Sequence, residues 1–146
     1  MSFRKNVAAV ILNSSELILV GKRTDVANSW QLPQGGVNEK ESEENAVLRE
    51  IEEETGIERS FLKIISKTTP VTYSFPPDIE KKMGFSGQIQ NYFLLKIQGE
   101  GWSLRKSTEF SDFEWVSSKE VLERVVDFKK DSYVEAFRQL FGEING

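Results

Sequence analysis

The stretch Gly35–Ile57, GGVNEKESEENAVLREIEEETGI, decides how the rest of the chain is read. It reads as a loop running into a helix. Gly35 and Gly36 follow Pro33-Gln34 and predict a tight turn whose backbone lies close to a ligand. Ser42 is a good N-cap, and Glu43 and Glu44 stand in the first turn, where the helix dipole favours negative charge. Thr55-Gly56 ends the helix, with Gly56 as the left-handed residue past the last turn. At about 100° per residue, Glu50, Glu53 and Glu54 fall within an arc of roughly 100°, with Val47, Leu48 and Ile51 nearly opposite. One face therefore docks on a core while the other gathers three carboxylates, because i, i+3 and i+4 are neighbours.

Like charges at these spacings repel, so the acidic face needs a partner. A hard divalent cation is one, since Mg²⁺ is held by one or two carboxylates together with water and substrate phosphates. A merely solvated acidic face is the other reading of a Glu-rich segment.

Missing residue types narrow the chemistry. The chain has no cysteine and no histidine. That excludes disulfides, thiolate nucleophiles, imidazole bases and cysteine or histidine metal sites. Any metal is held by oxygen, which points to Mg²⁺, with Mn²⁺ able to substitute. Nineteen Lys+Arg against 23 Asp+Glu leave a net charge of −4. Tight nonspecific binding of long nucleic acids rests on neutralising many phosphates, so a small phosphorylated ligand suits this balance better.

The 146 residues fit a single domain, 1–146, with room for a core. No apolar run approaches the roughly 18 residues of a membrane span, and the N-terminal segment reads as a first strand. A cytoplasmic protein without an obligate protein partner is expected.

Val7–Asn13 and Glu16–Gly21 are apolar runs joined by Asn13-Ser14-Ser15, a plausible hairpin. Strands are also expected over Phe61–Thr69, Ile89–Ile97 and Phe113–Val116. Prolines at 70, 76 and 77 predict irregular backbone from Pro70 to Pro77, and residues 76–88 a polar loop. Ser117 to Glu120 forms a capping box, and Tyr133, Phe137, Leu140 and Phe141 form a packing stripe on a final helix. Strands on both sides of an internal helix, with more helix at the end, predict an α/β protein with a mixed sheet between helices.

The 23 residues fill every fixed position of the Nudix box, G-x5-E-x7-R-E-U-x-E-E-x-G-U with U a bulky aliphatic. The matches are Gly35, Glu41, Arg49, Glu50, Ile51, Glu53, Glu54, Gly56 and Ile57. The chain thus resembles a Nudix hydrolase, which implies the Nudix α/β/α sandwich. Further stretches resemble the branch that holds diadenosine tetraphosphate hydrolases and bacterial RNA 5′-pyrophosphohydrolases. They are FRKNVAAVIL, SWQLPQGG, GQIQNYFLL, TEFSDFEWVS and DFKKDSYVEAF.

The resemblance and the acidic face together make Glu50, Glu53 and Glu54 the expected metal ligands, joined by a backbone carbonyl at Gly35 or Gly36. By the same resemblance Arg49 is expected to orient a carboxylate, and Glu41 to brace the loop. Water is expected to attack phosphorus, with Glu53 inside the box or Glu109 outside it as the general base. The branch also implies substrate contacts from Arg4, Arg23, Tyr73 (stacking a base) and Lys129. Lys5 departs from it, standing where proline commonly follows the arginine. Lys81 and Lys82 lie within reach of a long polyphosphate. The acidic balance and compact length place a dinucleoside polyphosphate first, diadenosine tetraphosphate cut asymmetrically to ATP and AMP. Removal of pyrophosphate from RNA 5′ ends is the alternative, and a noncatalytic nucleotide sensor is the remote one.

Overall fold

A computed structural model describes residues 2–142. Its axis is the parallel pair β1 (Phe3–Leu12) and β7 (Gly87–Ile97), in register from Phe3 opposite Gly87 to Leu12 opposite Lys96. Each strand carries a continuous apolar run, Val7–Leu12 in β1 and Tyr92–Leu95 in β7, where both of its faces are covered. β2 (Ile18–Arg23) follows the expected hairpin turn and pairs antiparallel with β1 at Leu12↔Ile18. β3 (Trp30–Gln31) and β8 (Phe110–Val116) flank β2. β4 (Gln34–Gly36) runs antiparallel to the start of β1, while β5 (Leu62–Lys67) and β6 (Val71–Ser74) both pair antiparallel with β7. The eight strands form one mixed sheet, as the sequence predicts.

Alternation along the central strands divides the core between two faces. Ala8, Val10, Tyr92 and Leu94 belong to a cluster with Val121, Tyr133 and Phe137 from α3 (Ser118–Arg124) and α4 (Asp127–Phe141). Val7, Ala9, Ile11, Phe93 and Leu95 pack with Ala46, Val47 and Ile51 from α1 (Glu43–Thr55). Helices therefore cover both faces, giving the expected α/β/α layering.

α1 begins and ends as its sequence dictates. The Asn45 N–H donates to Ser42 Oγ (3.1 Å), and Gly56 at φ 84° returns its N–H to Glu52 O (2.9 Å). Two expectations about the middle of the chain are corrected. Val71–Ser74 is a strand, because Pro70 lies just outside it and its side chains alternate buried and exposed against β7. Residues 76–88 are not all loop, since Pro77–Met83 forms α2. Proline is pre-shaped for a first helical turn, and Gly84 at φ 79° supplies the stop. The packing stripe holds for Tyr133 and Phe137, which are fully buried, whereas Phe141 near the end of α4 is exposed.

Candidate functional site

β4 brings Gly35 and Gly36 beside β1, and α1 returns across them, so the two ends of the acidic stretch meet. Arg49 ties them together. Its Nε and Nη2 donate to the two Glu41 oxygens (2.7 and 2.9 Å), Nη1 donates to Glu50 Oε1 (2.7 Å), and Nη2 also reaches Gly36 O (3.0 Å). Glu41 in turn accepts the Asn38 N–H (3.0 Å), and the guanidinium with this amide holds its carboxyl down to about 2. The brace expected of Glu41 and the orienting contact expected of Arg49 are both present in this geometry.

Glu50 and Glu54 face each other. Glu54 is only 5% exposed and accepts the Gln34 N–H (3.1 Å). Burial, and then its hydrogen bond and repulsion with Glu50, push its carboxyl far above the usual range. Glu53 does not join them. Its side chain is 58% exposed and stands 3.4 Å from Arg49 Nη1. Three carboxylates converging at one point is thus corrected to a pair with a third acid at the rim. Among the described residues no group of three acids is close enough to hold an ion as it stands.

The glycines serve a purpose other than the expected turn. Neither has a positive φ, and both lie in an extended strand. A Cβ at Gly35 would collide with the Glu50 carboxyl, and one at Gly36 with the Arg4 guanidinium. Close approach, not conformation, requires them. A buried acid beside a half-buried one against bare backbone, all donors being oxygen, fits a hard dication in chemistry and in charge.

These groups open onto a cleft of about 650 Å³. Glu109 lines it near Glu54, placed by its carbonyl accepting the Thr24 N–H (3.0 Å) just ahead of β8. Arg4 and Arg23 line it too, Arg23 being held by a bidentate pair with Asp25 (2.9 and 2.7 Å). Lys5, the departure from the branch, points instead to Glu43 on α1 (3.0 Å).

Tyr73 and Lys129 form the cleft wall, deeper than the sequence implies. Tyr73 is buried with its ring against Phe75 and Phe128, so as it stands it presents no open stacking face. Its hydroxyl, near Gln34, completes no hydrogen bond among the described residues, nor does the neighbouring buried Gln88 Oε1. Lys129 is only 4% exposed, donates to Gln31 Oε1 (3.0 Å) and lies over the Tyr73 ring at 6.0 Å. Burial, aided by Arg23, lowers its ammonium to about 7.

Several polar residues in and beside this cleft do not stand out in the sequence. Gln90 Nε2 donates to Asn6 Oδ1 (2.7 Å) and Gln34 Oε1 (3.1 Å), and Tyr92 Oη donates to Gln90 Oε1 (2.7 Å). This chain of bonds fixes Gln34, whose backbone N–H meets Glu54. One signal does exist. Gln88 and Gln90 alternate on one face of a strand just ahead of its apolar run Tyr92–Leu95, where an amide needs a partner.

Comparison with known proteins gives a consistent assignment. The NUDIX domain model matches residues 2–137. An RNA pyrophosphohydrolase from Campylobacter jejuni is 40% identical, the match covering 94% of this chain and 92% of the relative. Nudix hydrolase 26, chloroplastic, from Arabidopsis thaliana is 36% identical over 91% of this chain and 67% of its own length. Among solved structures, a C. elegans Ap4A hydrolase in a binary complex superposes with a TM-score of 0.73 at 20% identity, covering 94% and 96% of the two chains. At that identity the likeness speaks for the fold alone.

Proposed function

The chain belongs to the Nudix family of hydrolases, and on that premise we propose that it removes pyrophosphate from the triphosphorylated 5′ ends of RNA in a divalent-metal-dependent reaction. The observation that carries the chemistry is the buried Glu54 paired with the half-buried Glu50 and set against the bare backbone of Gly35. Two acids sharing a dry site are useful to an anionic guest only with a cation between them. Glu50 and Glu54, with Glu53 and the Gly35 carbonyl, are the groups that would hold Mg²⁺, which would supply the positive charge that admits the phosphate chain.

The remaining work falls to the chain itself. Arg49 keeps Glu50 turned toward Gly35 and Gly36 through its grip on Glu41. Arg4 and Arg23 meet phosphate oxygens at the cleft wall, and Lys129 joins them when charged. Glu53, exposed at the rim and 3.4 Å from Arg49 Nη1, takes the proton from the attacking water, with Glu109 as the second candidate base. The P–O bond to the leaving pyrophosphate breaks as the water oxygen bonds to phosphorus. Residues 1–146 act in this reading as one domain, in the cytoplasm and without an obligate protein partner.

The RNA end is placed first because the bacterial relatives that match almost end to end carry that name. Asymmetric cleavage of diadenosine tetraphosphate is the second reading, favoured by the net charge of −4, which suits a small anionic substrate. Purified protein with Mg²⁺, offered 5′-triphosphorylated RNA and diadenosine tetraphosphate in parallel, separates the two by kcat/KM. A higher value for the dinucleotide reverses the order. No Mg²⁺-dependent release of pyrophosphate or ATP sinks both.

A further inference from the structure

We propose that Gln90 is a positioning residue for the metal-holding acids, acting on Glu54 through Gln34, with the Tyr92 hydroxyl as its anchor. This rests on reading Glu50 and Glu54 as the groups that take Mg²⁺.

β4 is three residues long and pairs with β1 alone, Ala8 standing opposite Gln34. So short a ladder gives a strand little hold. The Gln34 N–H goes not to β1 but to Glu54 Oε1 (3.1 Å), so the place of this amide decides where the buried acid is held. The Gln34 side chain supplies a second hold. Its Oε1 accepts from Gln90 Nε2 (3.1 Å), which also donates to Asn6 Oδ1 (2.7 Å). Gln90 lies on β7, opposite Asn6 of β1, so one side chain ties β4 and β1 to β7. Its carbonyl takes the Tyr92 hydroxyl proton at 2.7 Å, a nearer acceptor for that single proton than Ser132 Oγ at 3.1 Å. The Gln90 amide cannot turn over without giving up all of these bonds.

Gln90 and Tyr92 are fully buried, and Asn6 nearly so. Buried amides and hydroxyls cost free energy that apolar side chains of the same size do not, and the cluster around Tyr92 is otherwise largely apolar. What a fully satisfied polar network adds to such a core is a single geometry. Here it fixes Gln34, the residue just before Gly35. Through Gln34 the α4 side of the sheet governs an acid carried by α1, which packs on the other side. Outer hydrogen-bond partners of carboxylate ligands set ligand direction and metal affinity, and Gln90 stands one step beyond such a partner.

The test is Mn²⁺ binding to the full chain without substrate, followed by electron paramagnetic resonance, with Tm measured for each variant. Tyr92→Phe keeps the ring and removes the anchor, whereas Gln90→Met keeps the length and removes the amide. Tyr92→Phe should weaken Mn²⁺ binding about threefold and Gln90→Met about tenfold. Once Gln90 is replaced, adding Tyr92→Phe should change the affinity by less than about 1.5-fold, because the two act along one path. Asn91→Ala, on the same strand, breaks a buried bond to Thr68 O (2.9 Å) instead. It should lower Tm and leave Mn²⁺ affinity as it was. Wild-type affinity in Tyr92→Phe and Gln90→Met, losses that follow Tm in all three variants, or a full threefold effect of Tyr92→Phe in the double variant each overturn the proposal. So does a wild type that binds no Mn²⁺. A chain whose Mn²⁺ affinities respond as expected but that hydrolyses no 5′-polyphosphate keeps Gln90 in this role and loses the proposed reaction.

Discussion

Glu54→Gln should make the metal-free protein more stable while removing its activity. Glu54 is 5% exposed and shares its site with Glu50. Two full charges about 4 Å apart at an effective dielectric near 20 repel by about 4 kcal/mol. The protein avoids this by keeping a proton on the pair. Holding a carboxyl of ordinary pKa 4.5 protonated at pH 7 costs about 3.5 kcal/mol, the smaller of the two figures and so the burden carried. A glutamine fills the same space uncharged, still accepts the Gln34 N–H, and can donate to Glu50. Allowing for relaxation, the gain is about 2 kcal/mol, or about 6 °C in Tm for a chain of this size. The sign depends on pH. An acid whose folded pKa is raised costs nothing below its unfolded value and costs more as pH climbs above it. The gain should therefore be near zero at pH 4.5, present at pH 7 and still growing toward about pH 10. Thermal melts in chelator across that range, repeated with Mg²⁺, measure it, and Mg²⁺ should stabilise only the wild type. A lower Tm at pH 7, or a gain as large at pH 4.5, refutes the shared-proton argument.

Other expectations rest on the same geometry. Arg49→Lys should lower kcat at least about tenfold and stability by about 2 kcal/mol in urea melts, because an ammonium cannot fork onto Glu41 while holding Glu50 and Gly36. Glu53→Gln should reduce kcat by about 10²–10⁴ with little change in Tm, its side chain being exposed, and a larger loss for Glu109→Gln would move the base to that residue. Gly35→Ala should fold but turn over poorly, since the added methyl displaces the Glu50 carboxyl, whereas Gly84→Ala, in open space at φ 79°, should cost about 1 kcal/mol and spare kcat. Lys129→Met should raise KM. It should also stabilise the fold near pH 7, because a lysine depressed to about 7 loses stability as pH falls from 10.5 toward 7, and the gain should fade toward pH 10.5.

How much of the molecule is legible in its sequence varies with the range of the forces involved. The acidic helix is, because its cap, stop and apolar face are local: Ser42, Gly56, Val47 and Ile51 act within a few residues of one another. The division between Glu50 or Glu54 and Glu53 is not. An angular projection puts all three on one side, and it does not contain the packing that buries Glu54 while leaving Glu53 exposed. α2 is hidden by Pro76-Pro77, since the same residue that breaks a helix interior opens a helix at its first position. A lysine is ordinarily a surface residue, yet Lys129 precedes Tyr133, Ala136 and Phe137 at the spacing of their buried stripe. That spacing marks it as enclosed.

The clasp made by Arg49 has a wider bearing. Every atom it holds lies between Gly36 and Glu53, and Glu54 is met by the Gln34 N–H, so the arrangement of the acids rests on no contact with α2 or with the β2–β3 connection. Machinery assembled that locally tolerates renovation around it. The rim is free to drift toward new guests while the cutting tool stays sharp, which is how one short cassette can serve many different phosphate esters.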